Sequence, residues 1–330
     1  MSAGIRKFGT TADGQEVLSV TLRAGDLRAV VLTHGAAVQD LRLAGADWPL
    51  TLGCADLAAY QDETVYFGAI VGPVANRIGG AQAMIGGRLC HFVANEGTTL
   101  LHGGANGTQA RIWEIVSAGK SHLVLRLKLA DGDGGFPGNR VITAEFSLAA
   151  PAVLALNLTA NTDAPTLINL ANHSYWNLDG AGSIKGHVLR LAADNWLPAV
   201  AGLPTGERRA VTGAFDLRAG HTIDLTEGYD HNFCLADAPR ALTEVAQLTG
   251  RRGVRLRIAT TEPGLQVYDG GHLTSGRFAG HGGVPYGPYE GMALEAQRWP
   301  DAPNHLDFSP ITLEPGATYR QQTRLSLDRA

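Results

Sequence analysis

Hydrophobic positions along this chain recur at every second residue far more often than at helical spacing. Leu123, Leu125, Leu127 and Leu129 alternate with Val124, Arg126 and Lys128, and Leu154, Leu156 and Leu158 alternate with Ala155 and Asn157. An extended backbone turns successive side chains to opposite faces, so this alternation predicts strands buried on one side. Residues 18–22, 27–32, 141–148, 188–191, 254–258 and 320–327 carry the same pattern. Glycine-rich turn signals separate the runs, as at Asp131-Gly132-Asp133-Gly134-Gly135, Gly86-Gly87 and Gly282-Gly283. Helical spacing is confined to residues 55–60 and 238–247. Without regular strand–helix–strand spacing, a parallel doubly wound sheet is excluded and antiparallel sheets packed as a sandwich or barrel-like assembly are predicted. No repeat, low-complexity tract or compositional break divides the chain, so residues 1–330 are expected to form a single domain.

Composition narrows the partners. Charged residues are 18% and the formal net charge is -4, which gives no electrostatic case for nucleic acid or an anionic membrane surface. Arg251, Arg252, Arg255 and Arg257 alternate with apolar residues and read as the solvent face of a strand. Three cysteines, Cys54, Cys90 and Cys234, form neither a disulfide framework nor a paired metal-ligand spacing, which suits a reducing cytoplasm. The first residues carry no secretory apolar region. The longest apolar stretch, residues 148–156, is too short to span a bilayer and contains Pro151. A soluble cytoplasmic protein is expected.

The segment Ile168-Asn169-Leu170-Ala171-Asn172-His173-Ser174-Tyr175-Trp176-Asn177-Leu178 is the chemically richest. It places amides, an imidazole, a hydroxyl and two large rings where a buried strand end is expected. Burying such groups is unfavourable unless each finds a partner, and a sugar offers hydroxyls for the amides and apolar faces for the rings. Asn172 and Ser174 flank His173 and are expected to fix its tautomer. Elsewhere, Asn76 and Arg77 sit side by side between glycines, and His102 precedes Gly103 and Gly104. Asp230 lies in a turn-like polar and aromatic cluster, Gln266 in a short strand, and Glu295 alone inside the apolar run Met292–Gln297. Gly103-Gly104-Ala105-Asn106-Gly107 lacks the strand–turn–helix context of a phosphate cradle. No Walker loop, nucleophile elbow, zinc-protease helix or cysteine-pair metal site appears.

Taken in order, Ala75-Asn76-Arg77, Leu101-His102-Gly103-Gly104, Asn172 to Leu178, Tyr229-Asp230-His231-Asn232-Phe233, Pro263-Gly264-Leu265-Gln266-Val267-Tyr268 and Leu294-Glu295-Ala296-Gln297-Arg298-Trp299-Pro300 resemble the motifs of aldose 1-epimerases, the galactose mutarotases. Residues 313–319 and Thr323 also fit, so the resemblance covers nearly the whole chain. It implies an all-β fold, a large antiparallel β-sandwich with few short helices, and an open cleft for a monosaccharide with no cofactor and no metal. It implies Glu295 as general base at the anomeric hydroxyl and His173 as general acid at the ring oxygen. His102, Asn76, Arg77, Asp230 and Gln266 are implied to hold the sugar, with His102 also near the reacting centre. The chain departs from many relatives at Pro73 and over Thr108 to Arg111, where selectivity is expected to differ. A glycoside hydrolase or lyase using Asp230 and Glu295, and a non-catalytic sugar-binding protein, are the alternatives. Whether the chain is a monomer or a homodimer is left open.

Overall fold

The computed structural model describes residues 4–329, and its architecture follows the alternation. Three antiparallel sheets dominate. A nine-stranded sheet runs in the spatial order Glu114–Ala118, His122–Leu129, Arg140–Ala149, Val153–Thr162, Tyr319–Arg329, Val254–Thr260, Thr243–Thr249, Val188–Leu191 and His221–Thr222. A six-stranded sheet runs Tyr175–Trp176, Met292–Gln297, Gly264–Tyr268, Asp230–Cys234, Asn195–Trp196 and Arg209–Ala210. A four-stranded sheet joins Gly4–Thr10, Glu16–Ala24, Leu27–Leu32 and Val38–Leu43 in sequence order.

The two larger sheets share one core. Leu123, Leu125, Ile142, Leu156 and Leu325 from the nine-stranded sheet pack in one cluster with Met292, Leu294, Ala296, Leu265, Val267 and Phe233 from the six-stranded sheet. Val20, Leu22, Ala29 and Val31 of the four-stranded sheet extend the same cluster. Side chains that alternate inward on facing sheets bury apolar area on both, and this makes the sandwich stable.

Every strand expected from the alternation lies within an observed strand. The short helix at residues 55–60 is present as Leu57–Tyr60, with the Asp56 carboxylate accepting from the Ala58 N–H. The helix expected at 238–247 is absent. Its second half is instead the strand Thr243–Thr249, paired along Val254–Thr260 from Thr243↔Thr260 to Thr249↔Arg255. Thr243, Val245 and Thr249 are β-branched, and a neighbouring strand supplies the backbone partners that outweigh weak helical spacing. The basic group divides: Arg255 and Arg257 face outward to Asp328, whereas Arg251 and Arg252 lie in the preceding turn and bond Asp179. Among the described residues no helix is long and apolar enough to cross a membrane.

Candidate active site

The six-stranded sheet supplies one wall of the site through register. In Met292–Gln297, Met292, Leu294 and Ala296 enter the shared core, which turns Ala293, Glu295 and Gln297 to the opposite face. Gln266 sits directly across from Glu295, and Tyr268 across from both Ala293 and Asp230. Asp230, Gln266, Tyr268 and Glu295 therefore share a face. Glu295 is only 2% exposed, so it is no member of a solvent-facing strand.

A second wall comes from one short ladder. Arg77 pairs with Leu101 and Ile78 with Leu100. The adjoining residues, Asn76 and His102, then take left-handed backbone angles, φ 61° and 51°, which are unfavourable for residues bearing a Cβ. Reciprocal bonds hold them there. The His102 N–H donates to the Asn76 carbonyl at 2.9 Å, and the Asn76 N–H donates to His102 Nδ1 at 3.1 Å. With Nδ1 accepting, the neutral ring carries its proton on Nε2. Gly103 follows at φ 77°, where a Cβ would collide with the Gly72 carbonyl. Glycine is what permits so close a backbone approach here.

All seven sequence-derived residues line one cavity of about 260 Å³, joined by Tyr66, Glu96, Tyr175, Tyr268 and His272. His173 Nε2 lies 3.6 Å from Glu295 Oε1. The ligating atoms of His102, His173 and Glu295 fall within 4.8 Å of one another, close enough to serve one small reactant. They are also the one trio among the described residues whose spacing could hold a metal ion. Tyr66 backs both imidazoles, 4.8 Å from the His102 ring and stacked at 5.8 Å on His173.

Arg77 is held before any ligand arrives. Its Nε and Nη2 donate to Glu96 at 2.6 and 2.8 Å, and its Nη1 is 4.0 Å from Asp230. Gln266 Nε2 donates to the other Asp230 oxygen at 2.7 Å. His173 Nδ1, Glu295 Oε2 and Gln266 Oε1 are buried without a partner among the described residues.

Burial governs the protonation of the pair. It raises the Glu295 carboxyl to about 8, assisted by the Asp230 charge and opposed by Arg77. It lowers His173 to about 4. His102 is held well below the usual imidazole range by burial, then by His173 and Arg77. Desolvation of both groups favours the neutral acid beside the neutral ring.

The expectation for the His173 tautomer changes. Asn172 Nδ2 donates to the Gly68 carbonyl and the Ser174 hydroxyl to Asn172 Oδ1, so neither fixes the His173 tautomer. Pro73 and Thr108 to Arg111 do not line the cavity. Thr108 Oγ1 donates to the Ile70 carbonyl, Gln109 Nε2 to the Gly104 carbonyl and Arg111 to Asp133, which buttresses the His102 turn from behind. Tyr66, Glu96 and His272 escaped the sequence reading because each stands in an irregular segment with no period to place it. Glu96→Gln is expected to raise KM about fivefold with kcat little changed, since one charge-assisted bond of about 1 kcal/mol orients Arg77 equally in ground and transition states. Saturation kinetics checks this; an unchanged KM would show that Arg77 needs no such support.

An acid and a base over a small polar cavity, on packed antiparallel sheets, define a β-sandwich protein with a candidate active site on one sheet. Solved structures share this architecture. An aldose epimerase homologue from C. elegans superposes with a TM-score of 0.88 at 27% identity, covering 94% of this chain and 99% of that one. A galactose 1-epimerase from Lactobacillus acidophilus NCFM gives 0.85 at 27% identity, covering 100% and 99%. In sequence, galactose mutarotase of Mus musculus is 35% identical over 325 residues, 94% of each chain. Aldose 1-epimerase of Escherichia coli K12 is 33% identical over 333 residues, 94% of this chain and 95% of its own. Residues 18–326 match the aldose 1-epimerase family. The chain belongs to that family, whose members are isomerases.

Proposed function

We propose that this protein interconverts the α and β anomers of a free aldose, of the galactose or glucose type. The observation that carries the reading is the 3.6 Å separation of His173 Nε2 and Glu295 Oε1 inside one small polar cavity. Opening a hemiacetal takes the proton from O1 and delivers one to O5 as the C1–O5 bond breaks and the C1–O1 carbonyl forms. Rotation about C1–C2 and reclosure on the other carbonyl face give the second anomer. Glu295 acts as base at O1 and His173 as acid at O5; the same groups return both protons on closure. His102 Nε2–H donates to an oxygen near the reacting centre. Asn76, Arg77, Asp230 and Gln266 orient the remaining hydroxyls, where small misplacements lower the rate.

The cavity volume, about 260 Å³, lies below the roughly 300–1,000 Å³ of drug-sized sites and favours a single sugar ring. A hydrolase using Asp230 and Glu295 is less well supported. Asp230 is already engaged by Gln266 and faces Arg77, whereas the close pairing of Glu295 is with an imidazole. A purely binding protein would have no use for a buried acid–base pair. One domain is the natural unit for this work, because the largest core cluster draws its residues from Val20 to Leu327.

The test is polarimetric. Decay of optical rotation from freshly dissolved α-galactose is expected to accelerate at micromolar protein, after correction for the spontaneous reaction, with α-glucose run in parallel. No acceleration with either sugar would reject the activity.

A further inference from the structure

The strands that carry the acid and the base part company at the point where the two groups meet. Tyr175 pairs with Ala293 and Trp176 with Met292; extended backward, that antiparallel register would set His173 opposite Glu295. The His173 backbone instead turns away. Its N–H donates to the Ala69 carbonyl at 2.8 Å and its carbonyl accepts from the Gly68 N–H at 3.0 Å. Ala171–Asn172 pairs with Ile70–Val71. The divergence makes room for a ligand and removes the ladder bonds that would have fixed the spacing.

Two side-chain bridges span the gap. Asn169 grips Arg298, its Oδ1 accepting from the Arg298 N–H at 2.8 Å and its Nδ2 donating to the Arg298 carbonyl at 3.3 Å. Behind the reacting pair runs a longer relay. The Leu170 N–H donates to Tyr319 Oη at 3.2 Å, the Tyr319 hydroxyl donates to Gln321 Oε1 at 2.9 Å, and Gln321 Nε2 donates to the Ala296 carbonyl at 2.7 Å. Leu170 is three residues from His173, and Ala296 adjoins Glu295. Tyr319 and Gln321 are 6% and 3% exposed and do not line the cavity. An amide in an apolar core is unfavourable unless paired, and this one is paired at both ends, to the Tyr319 hydroxyl and to the Ala296 carbonyl beside Glu295. Packing alone would be served by leucine or methionine.

We infer that Tyr319 and Gln321 are positioning residues that set the separation of His173 and Glu295 from behind the sheet. The inference rests on reading those two groups as the acid and base. Hydrogen bonds are directional, so the relay fixes one spacing where close packing alone would tolerate several. Misplacing reacting groups by about an ångström lowers rates by up to about a hundredfold.

The experiment measures kcat and KM for α-galactose by polarimetry on the full-length protein, in the native sequence, Gln321→Met and Tyr319→Phe. Thermal melts establish that each is folded at the assay temperature. Gln321→Met keeps volume and removes both bonds; its kcat is expected to fall at least about tenfold with KM within about twofold. Tyr319→Phe breaks the same relay with a smaller change of shape, and decides by the same criterion where Gln321→Met does not fold. The double variant is expected to lose little more than Gln321→Met alone, because both act through one chain of bonds. Folded variants with native kcat, whatever their melting temperatures, would reduce the relay to a structural role and overturn the inference. A native protein without activity would instead overturn the acid–base reading itself, so the two failures are distinguishable.

Discussion

Replacing Glu295 with glutamine is expected to lower kcat at least about a hundredfold and, at the same time, to stabilise the protein at alkaline pH. The loss of rate follows from removing a proton acceptor placed 3.6 Å from its acid partner, since one positioned acid–base group contributes about 10²–10⁴. Stability moves the other way because burial raises the Glu295 carboxyl to about 8. The folded protein keeps a proton that the unfolded chain releases above about 4.5. Its stabilising contribution is therefore full below about 4.5, declines as pH rises toward 8, and is absent above that. Glutamine has no proton to lose and escapes the decline. The gap in stability is expected to be negligible at pH 4.5, to open through neutrality, and to reach a few kcal/mol above pH 8. Thermal melts of both proteins from pH 5 to 9 test this. Parallel melting curves across that range would show that the carboxyl ionises in place without penalty, and near-native activity in the variant would remove Glu295 from the base role.

The sequence is most legible where a period repeats. The leucines at 123, 125, 127 and 129 declare a strand because each inward side chain meets the same apolar layer, and the structure places them so. Residues 238–247 show the limit: a few helix-spaced apolar residues carry less weight than a neighbouring strand offering hydrogen bonds, and that strand is remote in sequence. The site divides along the same line. Glu295 stood out as a lone acid in an apolar run, and His173 as an imidazole among buried polar groups. Tyr66 and Glu96 gave no local signal, because their importance lies in what they touch: two imidazoles for the ring, a guanidinium for the carboxylate. Protonation was illegible too. Opposite charges in close contact suggest an ion pair, yet the depth of burial, which only the fold reveals, pushes both groups toward neutrality.

That reversal sets the expected pH dependence of catalysis. Count the protons on the pair rather than assigning them. Below about pH 4 both His173 and Glu295 are protonated and no base is present; above about pH 8 neither carries a proton and no acid is present. Between these limits the pair holds one proton, the inventory that ring opening requires. Whether that proton starts on the carboxyl or the imidazole changes the tautomer but not the total, so the limbs belong to the pair jointly. Burial favours the neutral acid beside the neutral ring, which is the state the pair reaches once the hemiacetal has opened. The protein therefore stabilises the partner of the open-chain aldehyde, the species every anomerisation must pass through. A profile of kcat/KM is expected to be flat near pH 5–7 and to fall about tenfold per unit beyond about 4 and about 8. His173→Gln is expected to lower kcat/KM at least about a hundredfold and to leave Glu295 as the one titrating member of the pair, so that the residual rate rises with pH through the ionisation of its carboxyl, near 8. Polarimetry in non-catalytic buffers from pH 3.5 to 9.5 measures both. An alkaline limb near the ordinary imidazole value, with an acid limb near the ordinary carboxylate value, would mean that the working pair is a carboxylate and an imidazolium after all.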